Sequence, residues 1–315
     1  MIFSNKCALE KQQILSAIKD GFKYIEFHTN LKHFNYSIDE IIEIRRLLDE
    51  NNITCVALHL PIESNNENPD YISIPTYNDY YRNKFIELSK KAIDYISILS
   101  GAENPIVVSH IGTSYFYNPT KPYVLNKNIL DKKLRDAKED LLVISKYAQE
   151  TDDSILFVVE NVPLFTETKN GMASWCFGTG FELVDFIKNI NKKNIKACLD
   201  ICHAESTIRI SNIINHEDNF RIEDYIYQFK DVIGHIHLNN TINIGSTKEN
   251  HSVAFKSTSE DKVYLKRIIS SIVKNKIQCS ITLEINEDDY DKRINIKTTK
   301  ETLNKVLSDL RLELI

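Results

Sequence analysis

The chain lacks the features that mark several protein classes. No signal-peptide apolar core follows the first residues, MIFSNKCALEKQQ. No apolar run approaches membrane-spanning length, so no membrane role is expected. Six cysteines occur, Cys7, Cys55, Cys176, Cys198, Cys202 and Cys279, and none forms a C-x-x-C pair. Reduced thiols in a cytoplasm are the simplest expectation. A basic stripe is missing too: Lys and Arg are scattered, and the formal charge is −5. That disfavours a dedicated duplex-DNA binder, although folding can still gather charge locally. With no linker, repeat or low-complexity tract, the expectation is one domain over residues 1–315.

What the chain has is a regular pattern of strand endings. Apolar residues make up 42% of it, enough for a sizeable core. The β-branched apolar runs are TCVALHLP with His59, PIVVSHIG with His110, ILFVVENVP with Glu160, IKACLDICH with Asp200 and His203, GHIHLNN with His235 and His237, and QCSITLEIN with Glu284. Each closes on a group able to bind a metal. In a barrel of parallel strands the C-terminal strand ends converge on one mouth, where chemistry collects.

Strands are expected at Ile2 to Asn5, Lys23 to Phe27, Thr54 to Leu60, Ile106 to Ile111, Ile155 to Asn161, Ile195 to Ile201, Gly234 to Leu238 and Gln278 to Glu284. Helical periodicity falls between most of them. Gly21 fits a helix stop, and Ser37 with Glu40 has capping-box spacing, as does Thr298 with Glu301 at the start of an expected last helix, Thr298 to Leu310. Polar stretches at Ile62 to Pro75, Gly112 to Asn126, Pro163 to Gly180 and Asn240 to Ser259 read as loops after strand ends. Eight strands alternating with helices predict a single (β/α)8 TIM barrel of the α/β class.

Glu160, Asp200, His237 and Glu284 come from four successive strands. Three carboxylates and one imidazole suit Mn²⁺, Mg²⁺, Co²⁺ or Zn²⁺. Each acid alone could be a strand-end cap or an ion-pair partner. His59 and His110 end the two strands before Glu160, and neutral imidazoles favour zinc. With them, Glu160 could bridge two metals; as lone histidines they would bond to substrate or neighbours. His203, Glu249 and His251 could form a third metal corner, or loop groups could simply be solvated. His235 shares the phase of His237, as a support for that ligand or a barrel-interior residue. Glu26 closes GFKYIEF, where it would contact substrate hydroxyls or pair with a buried base. Trp175 and its aromatic neighbours could stack on a sugar face or pack the loops.

At these residues the chain resembles the xylose isomerase-like TIM-barrel superfamily, which includes sugar isomerases and epimerases and the endonuclease IV-type abasic-site (AP) endonuclease family 2. The resemblance runs from GFKYIEF to LEIN. It implies metal ligands at Glu160 in VVEN, Asp200 in LDICH, His237 in HIHLNN and Glu284 in LEIN. His203 is then a substrate contact or a further ligand. On the epimerase side it implies that Glu160 and Glu284 are also the catalytic acid/base pair. On the nuclease side it implies His59, His110, Glu249 and His251 in a three-zinc cluster. The nuclease pattern is broken in several places: VPLFTET follows the E-N pair, His110 sits in H-I-G, and Asn240 stands where aspartate is usual. The epimerase side departs too, since Asn243 lies where some epimerases carry an arginine.

The reading is a divalent-metal-dependent sugar or sugar-phosphate isomerase or epimerase, cytoplasmic, with one to three ions, zinc or manganese. Substrate contacts are expected from Glu26, His203, His235 and Trp175, on a small sugar or polyol. The alternative is an endonuclease IV-like multi-zinc phosphodiester hydrolase, with nucleic acid disfavoured by the acidic charge.

Overall fold

The computed structural model describes residues 1–62, 72–74, 79–117, 123–124, 127–163, 165–168, 171–175, 177, 180–215, 220–242, 250–289 and 292–312. Its strands are β1 (Ile2–Ala8), β2 (Tyr24–His28), β3 (Thr54–His59), β4 (Ile106–His110), β5 (Thr113–Tyr117), β6 (Tyr123–Val124), β7 (Leu156–Glu160), β8 (Phe165–Thr168), β9 (Gly171–Trp175), β10 (Ile195–Asp200), β11 (Ile233–Leu238), β12 (Asn240–Ile242), β13 (Asn250–Val253) and β14 (Ser280–Leu283). Strands β1, β14, β11, β10, β7, β4, β3 and β2 pair in that order around a closed barrel. All eight pairings are parallel. Parallel strands covered by helices need an apolar outer face, which is why the runs are rich in Val, Ile and Leu, while Ser4, Glu26, His235 and Thr282 are buried polar residues on the same strands.

The helices are α1 (Lys11–Lys19), α2 (Ile38–Glu50), α3 (Asp79–Leu99), α4 (Lys127–Thr151), α5 (Phe181–Ile190), α6 (Ile201–Asn215), α7 (Ile222–Phe229), α8 (Ser259–Lys274) and α9 (Ile294–Asp309), with a 3-10 turn at Leu31–Asn35. Phe85 of α3 meets Phe157 of β7 edge to face, centroids 6.3 Å apart. Burying such a ring is worth about 1.5–3 kcal/mol, and the contact seats α3 against the barrel wall. Gly21 stops α1 with φ +70, a conformation that strains other residues. Among the described residues, no helix is long and apolar enough to cross a membrane.

Three expectations need correction. Thr298 does not cap the last helix: α9 begins at Ile294, and the Thr298 hydroxyl donates to the Ile294 carbonyl at 2.9 Å. The helix starts earlier because Glu287 satisfies its first amides, Oε2 accepting from the Asn295 N–H at 3.0 Å and Oε1 from the Ile296 N–H at 2.7 Å, while buried Arg293 pairs with Asp20. Two expected loops contribute β5, β6, β8 and β9 to a four-stranded antiparallel sheet, and a third forms the β12–β13 pair. Helix α6 begins directly after Asp200, where no helix was expected.

Candidate metal centre at the barrel mouth

Side chains alternate along a strand, so each strand-end group shares its phase with the residue two before it. Strand β7 brings Glu160, β10 brings Asp200 and β11 brings His237, while Glu284 directly follows β14. One donor atom from each of the four lies within 4.8 Å of the others. His237 Nδ1 is 3.0 Å from Glu284 Oε2, 3.3 Å from Glu160 Oε2 and 4.0 Å from Asp200 Oδ2. His237 Nδ1 and Glu284 Oε2 are nonetheless both buried without a hydrogen-bond partner among the described residues. Atoms bound to one ion at about 2.1 Å stand about 3.0–3.4 Å apart. The spacing and the two orphaned atoms therefore fit a divalent cation.

Neighbouring amides fix these ligands. The Asn161 amide accepts from the Asp200 backbone N–H at 2.7 Å and donates to the Asp200 carbonyl at 3.1 Å. Asn239 donates to Asp200 Oδ2 at 2.8 Å and accepts from the Cys202 N–H at 3.0 Å. The second Asp200 oxygen takes the His203 N–H at 2.7 Å. Its aspartate thus enters α6 held on both oxygens.

His59 and His110 approach the same Glu160 oxygen that His237 faces, and with Glu160 they form a second convergent group. His59 Nε2 is 3.1 Å and His110 Nε2 is 3.6 Å from Glu160 Oε2. His59 Nδ1 donates to the Leu60 carbonyl at 2.7 Å. His203 Nδ1 donates to the Asn161 carbonyl at 2.9 Å and stands 3.4 Å from Glu160 Oε1. Glu26 and His235 lie deeper: both are fully buried, and they bond to each other at 2.8 Å. Glu249 lies outside the described residues. His251 falls on β13 and Trp175 on β9, with side chains outside what is described.

Two site residues escaped the sequence reading. Lys6 of β1 places Nζ 2.8 Å from Glu284 Oε1 and 3.7 Å from Glu26 Oε1. The expected first strand stopped at Asn5, one residue short of it; extending the strand would have found it. Cys198 lies two residues before Asp200 and converges with Glu160 and His237. Its position in phase with the aspartate was the available signal.

The electrostatics follow from burial opposed by neighbours. Burial pushes the Glu160 carboxyl up, but His237, His110 and His203 outweigh it and hold it well below the usual range. Lys6 and His237 do the same for Glu284. Burial raises Asp200 to about 6 despite His203. Burial would depress His203, but Asp200 and Glu160 lift it to about 9. His59, desolvated and near Lys6, drops to about 4 and is neutral. Burial opposes charge on His237 as well, yet Cys198 and the surrounding carboxylates push it well up. The pocket is an anionic collar that draws in positive charge, as a proton or as a metal ion.

Comparisons with known proteins agree with this fold. No curated protein sequence matches the chain. Among solved structures, D-psicose 3-epimerase with D-tagatose from Clostridium cellulolyticum H10 superposes with a TM-score of 0.63 at 15% identity, covering 99% of this chain and 98% of that one. An E. coli 3-keto-D-glucoside 4-epimerase gives 0.65 at 12% identity, with 98% and 99% covered. A xylose isomerase-like TIM-barrel protein from Mycobacterium smegmatis, in complex with magnesium, gives 0.63 at 14% identity, with 95% and 88% covered. Residues 15–307 match the family described as xylose isomerase-like TIM barrel. With that match over most of its length and a closed eight-stranded barrel, the chain belongs to the xylose isomerase-like TIM-barrel family.

Proposed function

We propose that this protein is a divalent-metal-dependent isomerase or epimerase of a small sugar, sugar phosphate or polyol-like ketose. The observation that carries the reading is the pair of orphaned buried atoms, His237 Nδ1 and Glu284 Oε2, inside the Glu160–Asp200–His237–Glu284 group. Epimerases of ketoses and of a keto-glucoside among the similar structures support it. A cation held by these four residues, manganese or zinc in our reading, would supply Lewis acidity beside a sugar carbonyl and acidify the neighbouring C–H.

The protein's own groups do the rest. Glu160 and Glu284 reach the pocket from β7 and from the end of β14, which β10 and β11 separate in the barrel. They take a proton from that carbon and return it. His203, oriented by the Asn161 carbonyl and protonated between two carboxylates, donates to a substrate oxygen. Lys6 holds one Glu284 oxygen, which leaves the other for the cation. Residues 1–315 act as one domain. We place it in the cytoplasm, since the five described cysteines are free thiols.

The test is incubation with a broad panel of ketoses in deuterated water. Metal-dependent deuterium uptake beside the carbonyl is expected, and absence across the panel contradicts the proposal. A second reading, a multi-zinc phosphoester hydrolase, rests on His59. Its Nδ1 proton goes to Leu60, so neutral Nε2 turns a lone pair toward Glu160 3.1 Å away, which suits another cation. Elemental analysis separates the two: about three zinc ions per chain favour hydrolysis, and a single ion favours isomerisation.

A further inference from the structure

The barrel interior below the mouth is polar, where barrels of this kind are usually filled by branched apolar side chains. Ser4, Glu26, His235 and Thr282 are all 0% exposed there. Glu26 is the hub. Its Oε2 accepts from the Thr282 hydroxyl at 2.7 Å and from His235 Nε2 at 2.8 Å, and its Oε1 accepts from His237 Nε2 at 3.1 Å. Ser4 Oγ lies 2.6 Å from Thr282 Oγ1; with the Thr282 proton given to Glu26, Ser4 is the donor in that contact. His235 Nδ1 lies 2.7 Å from Ser280 Oγ.

An ionised carboxylate has no proton to give. Both histidines facing it must therefore carry a proton on Nε2, and His235 Nδ1 then accepts from Ser280. For His237 the consequence reaches the mouth. With Nε2 committed to Glu26, Nδ1 is the nitrogen left to face Glu160 and Glu284, and its lone pair is the one a cation would take in place of a proton. The other neutral tautomer would aim an N–H at the same point and repel a cation.

We propose that Glu26, backed by His235 and Thr282, is a positioning residue that locks His237 in its metal-binding tautomer. The proposal rests on the metal reading of the mouth and not on which reaction occurs there. It assigns Glu26 and His235 to the ligand's support and away from direct substrate contact, which suits their depth. A glutamine at position 26 keeps the volume but has one acceptor oxygen and an NH₂ group. It cannot receive three donors. Its N–H would face His237 Nε2 and drive that proton round to Nδ1.

The experiment titrates Mn²⁺ by calorimetry into wild type, Glu26→Gln, Glu26→Asp and Thr282→Val. Nitrogen-15 NMR of the zinc-loaded wild type reads the His237 ring. Glu26→Gln is expected to bind Mn²⁺ about ten- to a hundredfold more weakly, the usual effect of removing a ligand's supporting group, with cooperative unfolding retained. Glu26→Asp, which keeps the charge, should recover part of the loss. In the zinc-loaded wild type His237 should show a protonated Nε2 and a metal-bound Nδ1. Equal affinity in wild type and Glu26→Gln overturns the proposal, as does zinc bound through Nε2. Should Glu26→Gln fail to fold, Thr282→Val decides: a loss of about threefold or more is expected, and unchanged affinity overturns the lock. A wild type that binds neither metal defeats the metal reading as well, and that result is distinct from equal affinities.

Discussion

Lys6 sits among Glu26, Glu160 and Glu284, with its ammonium 2.8 Å from Glu284. Those carboxylates and burial act against each other on it, and the carboxylates win, so the amine stays protonated. A single ammonium cannot neutralise the collar, and in the proposed reading a divalent cation would supply the remainder. Removing Lys6 should therefore make the fold more dependent on metal. Breaking one side of a buried ion pair costs about 3–5 kcal/mol. Thermal melts of Lys6→Met in chelator are expected to show most of that loss, and added Mn²⁺ should recover much of it. An equal melting shift with and without Mn²⁺ would refute this account of Lys6. Residues such as Glu160 and Asp200 were legible because each ends a strongly apolar run. Lys6 was not, because NKCA carries no strand signal of its own. The depth of Glu26 was equally hidden: its partners His235 and Thr282 are 209 and 256 residues away in sequence.

At the scale of elements, helix starts separate local signals from tertiary ones. Ser37 and Glu40 form the reciprocal cap that their spacing predicts. Ser37 Oγ accepts the Glu40 N–H at 3.2 Å, and Glu40 Oε2 accepts the Ser37 N–H at 2.7 Å. Thr298 and Glu301 have the same spacing, yet Thr298 lies inside α9 and bonds back to Ile294. The two sites should respond differently. Ser37→Ala is expected to cost about 1 kcal/mol, a typical N-cap loss, while Thr298→Ala should cost well under that, since such back-bonds add little to a helix. Denaturant unfolding of the pair checks it, and equal losses would contradict the assignment. The antiparallel sheet beyond the barrel was illegible for a related reason. It pairs 113–117 with 171–175, and no short window of sequence carries a contact across that distance. Helix α6 was hidden because the polar and ionisable side chains of CHAEST interrupt its apolar period.

For the whole molecule, the barrel was readable because its constraint is global and repeated. Parallel strands covered by helices need an apolar outer face, their crossovers must be helical, and active groups must collect at the C-terminal ends. The same rule placed Glu160, Asp200, His237 and Glu284 together before any distance was known. What it could not supply was the polar interior beneath them, because those contacts join Glu26 on β2 to β11 and β14, strands more than 200 residues away in sequence. The central claim is that these four side chains grip one ion. Anomalous X-ray diffraction from a Mn²⁺-loaded crystal, collected at the manganese edge, tests it most directly. The account predicts a peak at the mouth, about 2.0–2.3 Å from one atom of each of the four residues. A peak that omits two or more of them, or an empty mouth with Mn²⁺ in excess, would contradict it.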